Sequence, residues 1–173
     1  SLELETRARH ADWSEDKIAE VVAKLAVSTL KFEMIKVSAE KIITFDVKEA
    51  LRFEGYTAAY LQYSIARMNS LLAKAGEVSA EPSLEELAER VLVVALAKYG
   101  ETVSEAAAKH EPAILAQYLF EVAQRFNDFY QTCPILNVES ESLKAGRLAL
   151  VKQTRAVLTA GLAIFGIEVV SEM

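Results

Sequence analysis

Apolar residues in this chain recur at helical spacing, most clearly between Gly55 and Gly76. At about 100° per residue, Leu61, Ile65, Met68 and Leu72 fall on one stripe suited to a core. Tyr60, Tyr63, Arg67 and Lys74 fall on a second stripe, well round the cylinder. Thr57 is placed to cap the first turn, and Gly76 stands where helices commonly end. Upstream, Ser14 followed by Glu15 and Asp16 opens a helix whose face is Ile18, Val21, Val22 and Leu25. It reaches about Lys31, and the pattern leaves open whether it continues over 32–35. Residues 1–13 show no clear period and read as a poorly ordered lead-in, with 14–45 as a linking helical segment.

Residues 41–45 have β-branched strand chemistry but no partner strand, which predicts an extended connector. Asp46 with Glu49 predicts a capping box for a short helix over 47–53. A second box, Ser83 with Glu86, predicts a helix with Leu84, Leu87, Val91, Val94 and Ala95 turned inward, broken at Gly100. Its acids Glu85, Glu86 and Glu89 read as a solvated face. A shorter helix over 102–109 follows, and Pro112 restarts the chain at a first-turn position it suits. Over 113–132, Leu115, Leu119, Val122, Phe126 and Phe129 make a strong stripe that ends before Pro134. The last helix spans about 141–165 and closes at Gly166. Leu143, Leu150, Val157 and Ile164 form its heptad stripe, with Leu158, Leu162 and Phe165 making its rear half apolar nearly all round. Short connections and the absence of repeats predict an all-α bundle of about five main helices.

Composition then narrows the function. With 173 residues, 52% of them hydrophobic, the chain can bury a proper core and is not disordered as a whole. No apolar run approaches the roughly 20 residues of a membrane span. Ser1 in place of Met suggests an excised fragment, and the single cysteine, Cys133, points to a reducing, cytoplasmic compartment. The net charge of −6 argues mildly against nucleic acid, but its distribution qualifies that. Residues 56–76 and 142–167 together hold six Lys/Arg and no acid. They are Arg67, Lys74, Lys144, Arg147, Lys152 and Arg155, a local cationic patch in an acidic protein.

Catalytic patterns are missing. His10 and His110 lie far apart, and with one cysteine no zinc-type cluster or other metal site is predicted. No Glu-x-x-His pair, glycine-rich phosphate loop or triad arrangement occurs. His110 reads as a structural residue near a helix start. Tyrosines at helical spacing serve packing more often than stacking. A cation beside Tyr60 and Tyr63 raises the alternative of single-stranded RNA, where unpaired bases stack on rings and phosphates meet Arg or Lys.

A resemblance adds to this. The run Gly55-Tyr56-Thr57-Ala58-Ala59-Tyr60-Leu61-Gln62-Tyr63, with Ala66-Arg67 and Ser70, resembles the corresponding helix of arginyl-tRNA synthetases. Glu49-Ala50-Leu51-Arg52 is similar to the Asp-Ala-Leu-Arg signature of the DALR anticodon-binding domain, with Glu for Asp. The likeness continues through His110-Glu111-Pro112, Tyr118-Leu119, Phe126-Asn127, Phe129-Tyr130, Arg147-Leu148-Ala149-Leu150 and the ending 166–173. It implies a DALR domain over 46–173 in a class I enzyme that uses ATP, with Mg, to join arginine to its tRNA. The nucleotide-binding signatures of that family, of His-x-Gly-His and Lys-Met-Ser-Lys type, do not occur in this chain. The resemblance therefore implies an anticodon-binding fragment, inactive alone and without a cofactor of its own. Its implied partners are the anticodon loop of arginine tRNA and its own catalytic domain, with no membrane and no DNA. In the family the shared middle cytosine of arginine anticodons is held at positions that match Tyr60, Tyr63, Tyr130 and Met173, with Arg67 beside them. Lys74, Lys144, Arg147, Lys152 and Arg155 are candidate phosphate contacts, or else a solvated face. The competing readings are a non-catalytic helical interaction module and a stand-alone DALR protein that binds tRNA.

Overall fold

Local signals place most of the helix ends. The computed structural model describes residues 3, 6, 7, 10–76 and 79–173, so that 1, 2, 4, 5, 8 and 9 of the predicted lead-in lie outside the described residues. Helix α1 (Glu15–Ile35) starts where Ser14 Oγ accepts a hydrogen bond from the Lys17 amide, 3.3 Å away. It runs without a break through Phe32, which is fully buried, so the segment 32–35 is helical. Residues 42–46 carry no regular structure, in line with a connector, and no strand occurs among the described residues. Helix α2 (Val47–Ala50) is capped by Asp46 but is shorter than predicted. Glu49 pairs with Arg52 at 3.0 Å, and the helix stops after one turn.

Helix α3 (Ala58–Ala75) is held at one end by Thr57, whose Oγ1 accepts from the Tyr60 amide at 3.1 Å. At the other end Gly76 has a φ of 68°, which side chains strain to adopt. Leu61, Ile65 and Met68 face the core as their spacing predicts.

Helix α4 (Leu87–Ala97) departs from the sequence reading. The cap lies three residues later than Ser83: the Glu86 amide donates to Glu89 Oε2 at 2.8 Å. The inward face is correspondingly rotated. Leu92 and Leu96 are buried, whereas Leu87 is 75% and Val94 59% exposed and Val91 also faces outward. An 11-residue helix that is apolar over most of its circumference does not declare its own inner face. Packing against two other helices and one buried charge decide it. Gly100 does not break the chain either. The interruption falls at Lys98, and Gly100 lies inside α5 (Tyr99–Lys109).

His110 takes a left-handed conformation (φ 55°) at the corner between α5 and α6 (Pro112–Thr132), where Pro112 occupies the first turn. Leu115, Leu119, Val122, Phe126 and Phe129 are all buried, and α6 touches each of α1, α3, α4, α5 and α7. It is the axis of the bundle. Helix α7 (Glu141–Ile164) keeps Leu150 and Val157 inside but exposes Ile164 at its last turn. Two close approaches set its position. A Cβ at Gly146 would run into the backbone carbonyl of Ser83, and one at Gly161 into the side chain of Leu119. The bundle thus has six helices of 11 residues or more among the described residues, the five expected and the short α5. No described helix is long and apolar enough to cross a membrane.

Candidate nucleic-acid interface

Helices α3 and α6 bring the second stripe of α3 against the C-terminal turns of α6. There the Arg67 guanidinium lies between two rings, its carbon 4.7 Å from the Tyr63 centroid and 5.0 Å from that of Tyr130. Arg67 Nη2 donates to the Tyr63 hydroxyl at 2.7 Å, and Nη1 to Asn127 Oδ1 at 3.2 Å. A guanidinium over the faces of rings is attracted by their negative quadrupole, and its five N–H groups leave donors beyond the two used here. Phe126 backs Tyr130 at 6.1 Å, yet Tyr130 remains 39% exposed, so ring surface is available to a ligand.

Tyr63, Arg67 and Tyr130 line a cleft of about 1260 Å³ together with Lys74, Arg155 and Met173. His10 and Trp13, stacked at 3.8 Å, line it as well. His10 Nε2 is buried and has no hydrogen-bond partner among the described residues. Ring faces, three cations and a thioether around one opening suit an unstacked base flanked by phosphates.

Tyr60 is not part of this cleft. It lies two turns before Arg67, packs edge-on against Phe120 at 5.5 Å and directs its hydroxyl at the Ala123 carbonyl, 3.4 Å away. Burial, and then the charge of Asp128, push its phenol up from its ordinary value. Position on a helical stripe does not fix height along the helix axis, and Tyr60 sits at the level of the core.

The cationic residues also divide. Lys74 and Arg155 line the cleft; Lys144 and Lys152 do not. Lys152 is exposed, and Lys144 lies 3.9 Å from Glu141. Arg147 is corrected outright. It is 4% exposed, donates through Nε to Glu89 Oε1 at 2.6 Å and through Nη1 to the Pro134 carbonyl at 2.7 Å. It cannot meet a phosphate without leaving the core. Glu89, read as part of a solvated face, is fully buried and also accepts from the Glu85 and Glu86 amides. Burial pushes its carboxyl up, but Arg147 and the two amides outweigh this and hold it below its ordinary value.

Two residues that sequence reasoning passed over organise the end of the chain. Gln62 is fully buried, its Nε2 donating to the Glu168 carbonyl at 2.8 Å and its Oε1 accepting from the Val170 amide at 3.0 Å. Asn69 Nδ2 donates to the Ser171 carbonyl at 3.0 Å, and its Oδ1 accepts from Arg155 at 3.2 Å. Their seven-residue spacing, which puts both on one line of α3, was the available signal.

Comparison with known proteins gives the family. A family described as the DALR anticodon binding domain matches residues 61–173, which include α3 from Leu61 onward, α6, α7 and the end of the chain. The chain belongs to this family. The chain is 43% identical over 157 residues to a protein of Clostridium botulinum (strain Alaska E43 / Type E3) named arginine–tRNA ligase, covering 89% of this chain and 28% of that one. It is 43% identical over 168 residues to the arginine–tRNA ligase of Archaeoglobus fulgidus, covering 94% of this chain and 30% of that one. The solved structure of Thermus thermophilus arginyl-tRNA synthetase superposes with a TM-score of 0.93 at 34% identity, covering 99% of this chain and 30% of the other. The chain thus spans under a third of the length of the relatives it matches.

Proposed function

We propose that this domain binds the anticodon loop of an arginine tRNA and reads the middle cytosine in the cleft between α3, α6 and the end of the chain. The observation that carries the reading is the Arg67 guanidinium set over both the Tyr63 and Tyr130 rings in the lining of a cleft that also holds Met173. A pyrimidine turned out of its stack needs a ring face, a soft apolar contact and donors or acceptors along its edge. Tyr130 offers the face, Met173 the thioether, and Arg67 the remaining donors. Lys74 and Arg155, on the same cleft, would meet the flanking phosphates, and exposed Lys152, with half-buried Lys144, phosphates further along the backbone.

The parent enzyme in this reading is an arginine–tRNA ligase of the cytoplasm, which spends ATP, with Mg, at a catalytic domain outside this chain. The domain supplies selection of the tRNA, and the chemistry takes place elsewhere in that enzyme.

The direct test is titration of this chain with an arginine anticodon stem-loop and with its counterpart carrying uracil at the middle position. Binding should fall as salt rises, and the uracil form should bind more weakly. Equal affinity for the two would refute anticodon reading and favour a general tRNA-binding or protein-interaction role.

A further inference from the structure

We propose that Gln62 and Asn69 are positioning residues for base recognition: two amide side chains on one line of α3 hold residues 168–171 extended and so fix where Met173 meets the cleft. The inference rests on the reading of the cleft given above. After Gly166, whose φ is 63°, the chain has no regular secondary structure, so its backbone groups need partners of another kind. Gln62 supplies one donor and one acceptor to residues two apart, Glu168 and Val170, the pattern a neighbouring strand would supply. Asn69 repeats the contact at Ser171. Seven residues of helix rise about 10 Å, and three residues of extended chain, from Glu168 to Ser171, cover about 10 Å. The two anchors therefore match the pitch of a strand laid along the helix.

Side chains complete the seat. Val170 is buried with Val21 and Leu25, and Trp13 and Met173 pack on that cluster. Lys17, over the Trp13 ring at 4.1 Å, pairs with Glu172 at 2.7 Å. Met173 follows the last amide anchor by two residues. Asn69 serves a second purpose, since its carbonyl oxygen holds Arg155, a cation of the same cleft. One amide thus fixes both the thioether and a positive charge. A buried glutamine in a helix is otherwise costly, and satisfying two backbone groups of the tail accounts for its presence.

Asn69 is the residue to vary, because it is partly exposed whereas loss of Gln62 would strip a buried network. The experiment uses the 173-residue chain labelled with 13C at its methionine methyl groups, which reports separately on Met34, Met68 and Met173. Asn69→Ala should move the Met173 methyl resonance toward that of a free side chain and leave Met68, which is fully buried, unchanged. Asn69→Asp keeps the acceptor for Arg155 but cannot donate to Ser171, and should shift Met173 in the same way. With stem-loops carrying cytosine or uracil at the middle position, Asn69→Ala should reduce the affinity ratio about fivefold, the size of one lost hydrogen bond, at an unchanged thermal midpoint. An unchanged Met173 signal together with an unchanged ratio would overturn the proposal while leaving cytosine reading intact. A chain that shows no cytosine preference before any substitution overturns the reading of the cleft, and the methyl signal then decides the tail clamp by itself.

Discussion

Arg147 on α7 and Glu89 on α4 meet at 2.6 Å with side chains 5% and 0% exposed, 58 residues apart in the chain. The pair has further partners: Glu89 also takes two backbone amides, and Arg147 also reaches the Pro134 carbonyl. It ties α4, α7 and the turn that follows α6 together. Removing one partner leaves a buried charge without compensation. Arg147→Ala should therefore cost about 3–5 kcal/mol of stability, measured by urea unfolding. A loss near zero would mean that water enters to solvate Glu89.

The same pair sets an acid limit. Because the Glu89 carboxyl is held below its ordinary 4.5, the native state binds its proton less readily than the unfolded chain does. Its contribution is complete above pH 4.5 and is lost as the pH falls through the depressed native value. Unfolding free energy should decline on that acid side, and the part due to this group should vanish in Glu89→Gln.

Gly146 lies where α7 passes the loop before α4, with the Ser142 carbonyl accepting from the Ser83 amide at 3.0 Å. An added methyl meets the Ser83 backbone, which is tied down at that point and cannot turn aside as a side chain tip can. Gly146→Ala should destabilise by about 1–3 kcal/mol, seen as a lower thermal midpoint.

Tyr130 and Tyr60 should respond differently. Tyr130→Ala should weaken stem-loop binding by about 1–3 kcal/mol with little change in stability, since the ring is 39% exposed. Tyr60→Ala should instead lower stability, because its ring packs on Phe120. Calorimetry and RNA titration on the two variants separate the roles, and a Tyr130 variant with full affinity would remove the stacking platform from the account.

Exposed Lys152 provides a test of the outer cations. If it meets a phosphate, Lys152→Ala should reduce the slope of log affinity against log salt by about 1 and weaken all stem-loops alike. An unchanged slope would assign it to solvent.

Several features were legible from the amino-acid order because their causes are local. The caps at Ser14 and Thr57, the Pro112 restart and the stripe Leu115 to Phe129 depend on residues within a few positions of one another. The pairing of Tyr63 and Arg67 belongs to the same class, since residues four apart in a helix are neighbours. The all-α class followed from these elements, and the resemblance in α3 and α6 led to the family.

Tertiary structure alone decided the rest. Helix α4 offers more than one apolar face, and only α6, α7 and Arg147 select among them, which is why Leu87 and Val94 turned outward. An arginine looks the same in a sequence whether it awaits a phosphate or a buried carboxylate; the partner of Arg147 lies 58 residues away. Tyr60 shares a stripe with Tyr63 but sits a turn nearer the core, and the path of residues 168–173 depends on amides about a hundred residues earlier. Periodicity is a property of one helix, whereas burial, charge pairing and the walls of a cleft belong to helices in contact.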